Sequence, residues 1–244
     1  MSRRDDERAA FLAAPDREAY LRAQSHLPGP RGNLELLDAA ASVADRPALE
    51  RWAGLTLAQA PTDTPGEFVV AVGTAGLGWR VAAGDRSPLS ALRRAASDPR
   101  WRVREAVAIG LQAWGDADVA ALLDEMERWA TGTPLEGRAA MAALCEPRLL
   151  REPWVVARTL AVLAGLTATV RAAPDRRAPD VRVLRQALGY GWSVAVAADP
   201  AVGLPAFRAL MDDPDPDVGW IVRTNLGKAR LAKLLPGSVP DQSR

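Results

Sequence analysis

In the segment Trp101-Arg102-Val103-Arg104-Glu105, an indole, a guanidinium and a carboxylate fall at spacings of three and four, which puts them side by side on one face of a helix. Tryptophan anchors protein interfaces and stacks on exposed bases, arginine holds phosphates, and a carboxylate stabilises a cation. Trp220 and Arg223 repeat the Trp-to-Arg spacing of three, and Trp154 with Arg158 extends the stripe at a spacing of four. Arg182 and Arg185 follow Asp180, where they can cover phosphate or cap nearby acids. The binding candidates are therefore Trp101, Arg104, Glu105, Trp154, Arg158, Arg185, Trp192, Trp220 and Arg223; no residue is assigned a catalytic role. Each has a structural alternative. Arg104 and Arg223 can pair with Asp98 and Asp217, six residues earlier, or with the same aspartate of a neighbouring repeat, because a partly buried arginine needs a partner. Trp101 and Trp220 can pack between repeats, and Glu105 can pair with a surface arginine.

Other chemistry is thinly supplied. One cysteine, Cys145, cannot form an internal disulfide, and one histidine, His26, in a segment that reads as a loop, cannot build a metal site without carboxylates at ligand spacing. Cys145 follows Ala142-Ala143-Leu144 and reads as a small buried residue. No phosphate-binding glycine loop, nucleotide fingerprint or Ser/His/Asp set is present, so neither cofactor nor metal is expected. The 31 Lys and Arg balance 30 Asp and Glu, which removes any global drive towards nucleic acid or an anionic membrane. Lys228 and Lys233 are the only lysines, a bias that GC-rich codons produce without selection for phosphate binding. The charged start, Met1 to Arg8, leads into no signal-peptide core, and no run of about 18 residues reads as apolar enough to span a bilayer. A cytoplasmic bacterial protein with no membrane partner is expected.

These residues need elements to hold them, and the elements repeat. Asp98-Pro99-Arg100-Trp101-Arg102-Val103-Arg104 and Asp217-Val218-Gly219-Trp220-Ile221-Val222-Arg223 both place tryptophan three, valine five and arginine six positions after the aspartate; Asp45 to Arg51 keeps only the ends. Each strong copy follows an amphipathic stretch and a turn, Ser97-Asp98-Pro99 or Asp212-Asp213-Pro214, in which proline stops one helix and acidic groups start the next. Beyond Asp98, Val103, Val107, Gly110, Leu111 and Trp114 fall on an inward face, with Trp101, Arg104, Glu105, Ala108 and Gln112 opposite. In the terminal copy Val218, Ile221, Val222, Leu226 and Ala229 point inward, with Trp220, Arg223 and Gly227 away from them. Further helices are expected at about 34–44, 47–60, 67–83, 116–131, 135–145, 154–171, 180–197 and 199–211. The one strand candidate, Phe68 to Val72, reads more easily as packed helix, and Gly73, Gly76 and Gly78 suggest close helix packing. Loops are expected at Thr62–Gly66 and Ala172–Pro179. One helix pair cannot bury such faces and stacked pairs can, so the expected fold is all-α, an α-solenoid of stacked antiparallel helix pairs. It should occupy 33–235, after a partly ordered segment 1–32 and before a tail, 236–244.

The segments Asp98 to Leu111 and Asp217 to Leu226 resemble HEAT repeats, in which a turn aspartate is followed six residues later by an arginine on the second helix. That resemblance implies a concave surface lined by second helices and a role in binding or scaffolding. Val183-Leu184-Arg185-Gln186-Ala187-Leu188-Gly189-Tyr190-Gly191-Trp192, running on to Asp199-Pro200, is also similar to the late helices of HEAT-like bacterial DNA glycosylases that remove alkylated bases. Those enzymes use tryptophans and a carboxylate at the concave centre; here Gly78-Trp79-Arg80-Val81 stands where such a motif would fall, without a carboxylate one turn away. The leading expectation is a module that recognises a protein or peptide partner on a Trp/Arg-lined surface. The alternative is a DNA-binding protein or alkylated-base glycosylase, favoured by that surface and by ten Lys and Arg against eight Asp and Glu from residue 174 on.

Overall fold

Pro65, Pro134, Pro153, Pro179, Pro200 and Pro216 each open a helix, at the position where a missing amide hydrogen costs nothing and φ is already set. Side chains satisfy the amides that follow. Asp45 accepts from the amide of Ala48 at 2.9 Å, Asp118 from that of Ala121 at 3.0 Å, and Thr133 exchanges a reciprocal pair with Glu136. The computed structural model describes residues 3–235, which form fourteen helices and no strand. The protein is all-α. The tail expected at 236–244 lies outside the described residues.

The chain divides into two compact units, with the boundary between Ala117 and Asp118. The first holds α1 (Arg3–Ala13), α2 (Arg17–Ala23), α3 (Leu34–Val43), α4 (Arg46–Ala53), α5 (Pro65–Ala82), α6 (Leu89–Ala95) and α7 (Trp101–Ala117). The segment 1–32, expected to be only partly ordered, supplies α1 and α2 and buries Phe11 and Leu21 fully, so it belongs to this unit. The expected boundaries are otherwise close, except that α4 stops at Ala53, where Gly54 follows, rather than running to residue 60. Phe68 to Val72 is helical, inside α5.

Helix α5 is the core of this unit. It is buried without a break from Gly66 to Gly78 and packs on α3, α4 and α7. A helix buried all round needs neighbours that can approach on every side, and its glycines admit them. A Cβ on Gly73 would lie 2.5 Å from the Ala53 nitrogen of α4, and one on Gly78 would lie 2.3 Å from Gly110 Cα of α7. On α7, Val103, Val107, Gly110, Leu111 and Trp114 are buried, as expected. Ala108, expected on the opposite face, is buried as well.

The second unit holds α8 (Val119–Ala130), α9 (Pro134–Leu144), α10 (Pro153–Ala172), α11 (Pro179–Ala198), α12 (Pro200–Met211), α13 (Pro216–Leu226) and α14 (Ala229–Ala232). Here α11 is central, against α9, α10, α12 and α13. The fully buried Asn225 ties α13 to it: its amide donates to the Leu188 carbonyl at 2.9 Å and its oxygen accepts from the Ser193 amide at 2.8 Å. Val218, Ile221, Val222 and Leu226 are buried, whereas Ala229 is exposed because α13 ends at Leu226 and a new short helix begins. One expectation fails on composition. Helix α10, of 20 residues and mean hydropathy 1.4, is long and apolar enough to cross a membrane by those two measures, although half of that stretch is buried within the fold.

Replacing Gly78 by alanine should lower stability by about 1–3 kcal/mol, because the added methyl meets backbone rather than a movable side chain. Alanine at the exposed Gly165 of α10, where nothing lies within 4 Å, should instead stabilise by up to about 1 kcal/mol. Urea unfolding followed by circular dichroism distinguishes the two.

Candidate functional site

The first turn of α7 is held against the first turn of α5 by Arg102. Its guanidinium donates to Glu67 Oε2 at 3.1 Å and to the Gly29 carbonyl at 2.6 Å, and it lies 3.2 Å from Asp63 Oδ1. Glu67 is 0% exposed and also accepts from the Asp63 amide at 2.7 Å. A buried carboxylate is tolerated only with such partners. Arg102 therefore joins three segments that are distant in sequence: the loop before α3, the start of α5 and the start of α7. The same guanidinium stacks on the indole of Trp101, 4.5 Å from its centroid.

Beside this stack lies a cavity of about 270 Å³. Leu34, Leu37, Phe68, Ala71, Trp101 and Ile109 supply its apolar walls, and Arg31, Arg102 and Glu105 its charged lining. Two of the predicted site residues, Trp101 and Glu105, are brought together here. Trp101 is 47% exposed and Leu34 43%, so apolar surface continues from the cavity to its rim. Arg104 points elsewhere: it donates to the carbonyls of Asp98 and Pro99, at 2.7 and 3.1 Å, and so caps its own turn. The carboxylate of Asp98 is taken by Arg100, which is buried and forms a two-point pair with it at 2.8 and 2.7 Å. The turn presents its carbonyls to Arg104 and its carboxylate to the nearer Arg100.

In the second unit the remaining candidates do not form one site. Trp192 is 1% exposed, donates from Nε1 to Thr167 Oγ1 at 3.1 Å and packs against Phe207; it is core, because it sits mid-way along the central helix. Trp154 is exposed at the start of α10, but Arg158 is bound to Glu127 and Asp124 of α8, both at 2.8 Å, and those hydrogen bonds raise its pKa further. Arg185 pairs with Asp217 and lies 4.8 Å from the centroid of Trp220, which is half-buried. Asp217 has Arg176 as its second partner at 3.2 Å, so the arginines that hold Asp217 come from α11 and the loop before it. Arg223, expected to pair with Asp217, is exposed and makes no ion pair among the described residues.

Arg102, Glu67, Phe68 and Leu34 were not read from the sequence as site residues. The one local signal was Glu67 at the third position of a helix whose cap is Thr64, which reads as a capping acid and not as a buried partner for Arg102. Cys145 is buried, its thiol pushed up to about 12 by burial, and offers no thiolate at neutral pH. Among the described residues no group of His, Cys, Asp and Glu stands close enough to hold a metal ion. Neither known protein families nor curated proteins yield a match to this chain.

Removing Arg102 would strand the buried Glu67, so Arg102→Leu should cost about 3 kcal/mol or more. Arg158→Leu breaks two ion pairs that water already screens and should cost less than about 1 kcal/mol. Chemical denaturation of the two variants at neutral pH measures the contrast.

Proposed function

We propose that the chain is a HEAT-like helical repeat protein that binds a protein or peptide partner, and that the cavity beside Trp101 receives one apolar side chain of that partner. The observation that carries this reading is the apolar cavity of about 270 Å³ with a half-exposed indole at its rim. It falls below the ~300–1,000 Å³ usual for small-molecule sites and suits a single large side chain. Tryptophan and arginine at the edge of an apolar-walled pocket are the residues that dominate protein interfaces. The helix-turn-helix pairs α6–α7 and α12–α13 coincide with the two strong motif copies, which supports the repeat reading.

The charge pattern favours a peptide over DNA at this site. A phosphate-binding groove needs arginines that are free to exchange counterions for phosphates. Arg100 and Arg102 are instead committed to Asp98, Glu67 and backbone carbonyls, and Arg104 bonds its own turn, which leaves Arg31 on the lining, a single such arginine where a groove would need several.

The test is selection of a displayed random-peptide library on the full chain, followed by affinity measurement of the enriched peptides. These should share one tryptophan, phenylalanine or leucine anchor, and Trp101→Ala should weaken them by about tenfold or more. Arg158→Leu, in the other unit, should leave their affinity unchanged. Enriched peptides without a common apolar anchor, or indifferent to Trp101→Ala, would overturn the assignment.

A further inference from the structure

The second unit carries a surface of different character. Between Val218 and Leu235 the chain has Arg223, Lys228, Arg230 and Lys233 and no carboxylate. None of these four cations is in an ion pair among the described residues. Of the acidic groups just before them, Asp213 is neutralised by Arg171 at 3.0 Å, Asp215 by Arg176 at 2.8 Å, and Asp217 by Arg176 and Arg185, while Asp212, at the end of α12, makes no ion pair among the described residues. What α13 and α14 leave facing water is therefore net positive, although the whole chain is almost neutral.

An aromatic ring stands among these cations. Tyr190 of α11 is 45% exposed, with the Arg230 guanidinium 4.8 Å and the Lys228 ammonium 6.0 Å from its centroid. Arg230 also donates to the Tyr190 hydroxyl at 3.0 Å, which fixes the ring without removing the charge. Next to Tyr190, Gly189 lets α13 close in: a Cβ there would lie 3.0 Å from Trp220 and from Thr224. Lys228 and Arg230 thus share one surface with the Tyr190 ring, built by α11, α14 and the link before α14, and Arg223 and Lys233 extend the basic run in sequence on either side of them.

We infer that this surface binds a single-stranded nucleic acid, with Arg223, Lys228, Arg230 and Lys233 on successive phosphates and Tyr190 as a platform for a base. Cations interleaved with an exposed ring are the recognition chemistry of unpaired strands, because every base offers a π face and every nucleotide a phosphate. An anionic membrane would call for exposed aliphatic side chains beside the cations, and on α11, α13 and α14 Tyr190 is the sole large apolar residue that is well exposed. This inference is independent of the peptide pocket.

The experiment is fluorescence anisotropy of a labelled oligodeoxythymidylate titrated with the full chain over a range of salt. The expected result is binding at low salt whose logarithm falls against log salt with a slope of about −2 to −3, the value for three to four phosphate contacts on a single strand. Lys228→Glu with Arg230→Glu should abolish it; Tyr190→Ala should weaken it about fivefold or more, and Tyr190→Phe should restore it. Trp101→Ala should have no effect, and circular dichroism should show each variant folded. No binding at low salt, binding indifferent to the double substitution, or equal binding of polyglutamate would overturn the inference.

Discussion

Arg102 and the buried Glu67 form the contact on which the geometry of the first unit depends. A carboxylate at 0% exposure is a large unfavourable term unless a cation meets it, and the cation that does so starts α7. Because α7 is pinned at that end by charge and further along by the backbone contact of Gly110 with Gly78, its rotation about its own axis is set. That rotation decides that Val103 and Val107 go inward and that Trp101 stays at the surface over the cavity. The cavity wall is thus a by-product of an ion pair, and the same guanidinium serves both.

The second unit applies the same chemistry to another end. Three arginines, Arg171, Arg176 and Arg185, neutralise the acidic turn Asp213 to Asp217 and let it open α13. Although burial opposes it, the Asp215 carboxyl is held below the usual range by the Arg176 hydrogen bond and by the amides of Asp217 and Val218. Arginine here is chiefly bracing between helices, and the cations left over collect after Val218, where no acid remains to pair with them.

The all-α class, most helix boundaries and the inward faces were legible from periodicity, proline and capping residues, because those signals are local. The glycine spacing in α5 announced close packing, which the Gly78–Gly110 contact bears out. The site was legible only in part. Trp101 and Glu105 do meet at one cavity, yet its other walls come from α3 and α5, at separations that no local pattern encodes. Trp192 has the residue type of a binding anchor and closes the segment that carries the glycosylase resemblance, and its burial is decided by Thr167 and Phe207 on neighbouring helices. For Arg223 the six-residue spacing suggested a partner that Arg176 and Arg185 occupy instead. Which arginine reaches an aspartate depends on how helices pack, which sequence spacing alone does not carry.

The most direct measurement is methyl NMR of the full chain, labelled at leucine and isoleucine, titrated with N-acetyl-tryptophanamide as a stand-in for a partner side chain. Saturable shifts centred on Leu34, Leu37 and Ile109, lost in Trp101→Ala, are the expected result. Shifts scattered over other methyls, or unchanged by that substitution, would contradict the proposed pocket.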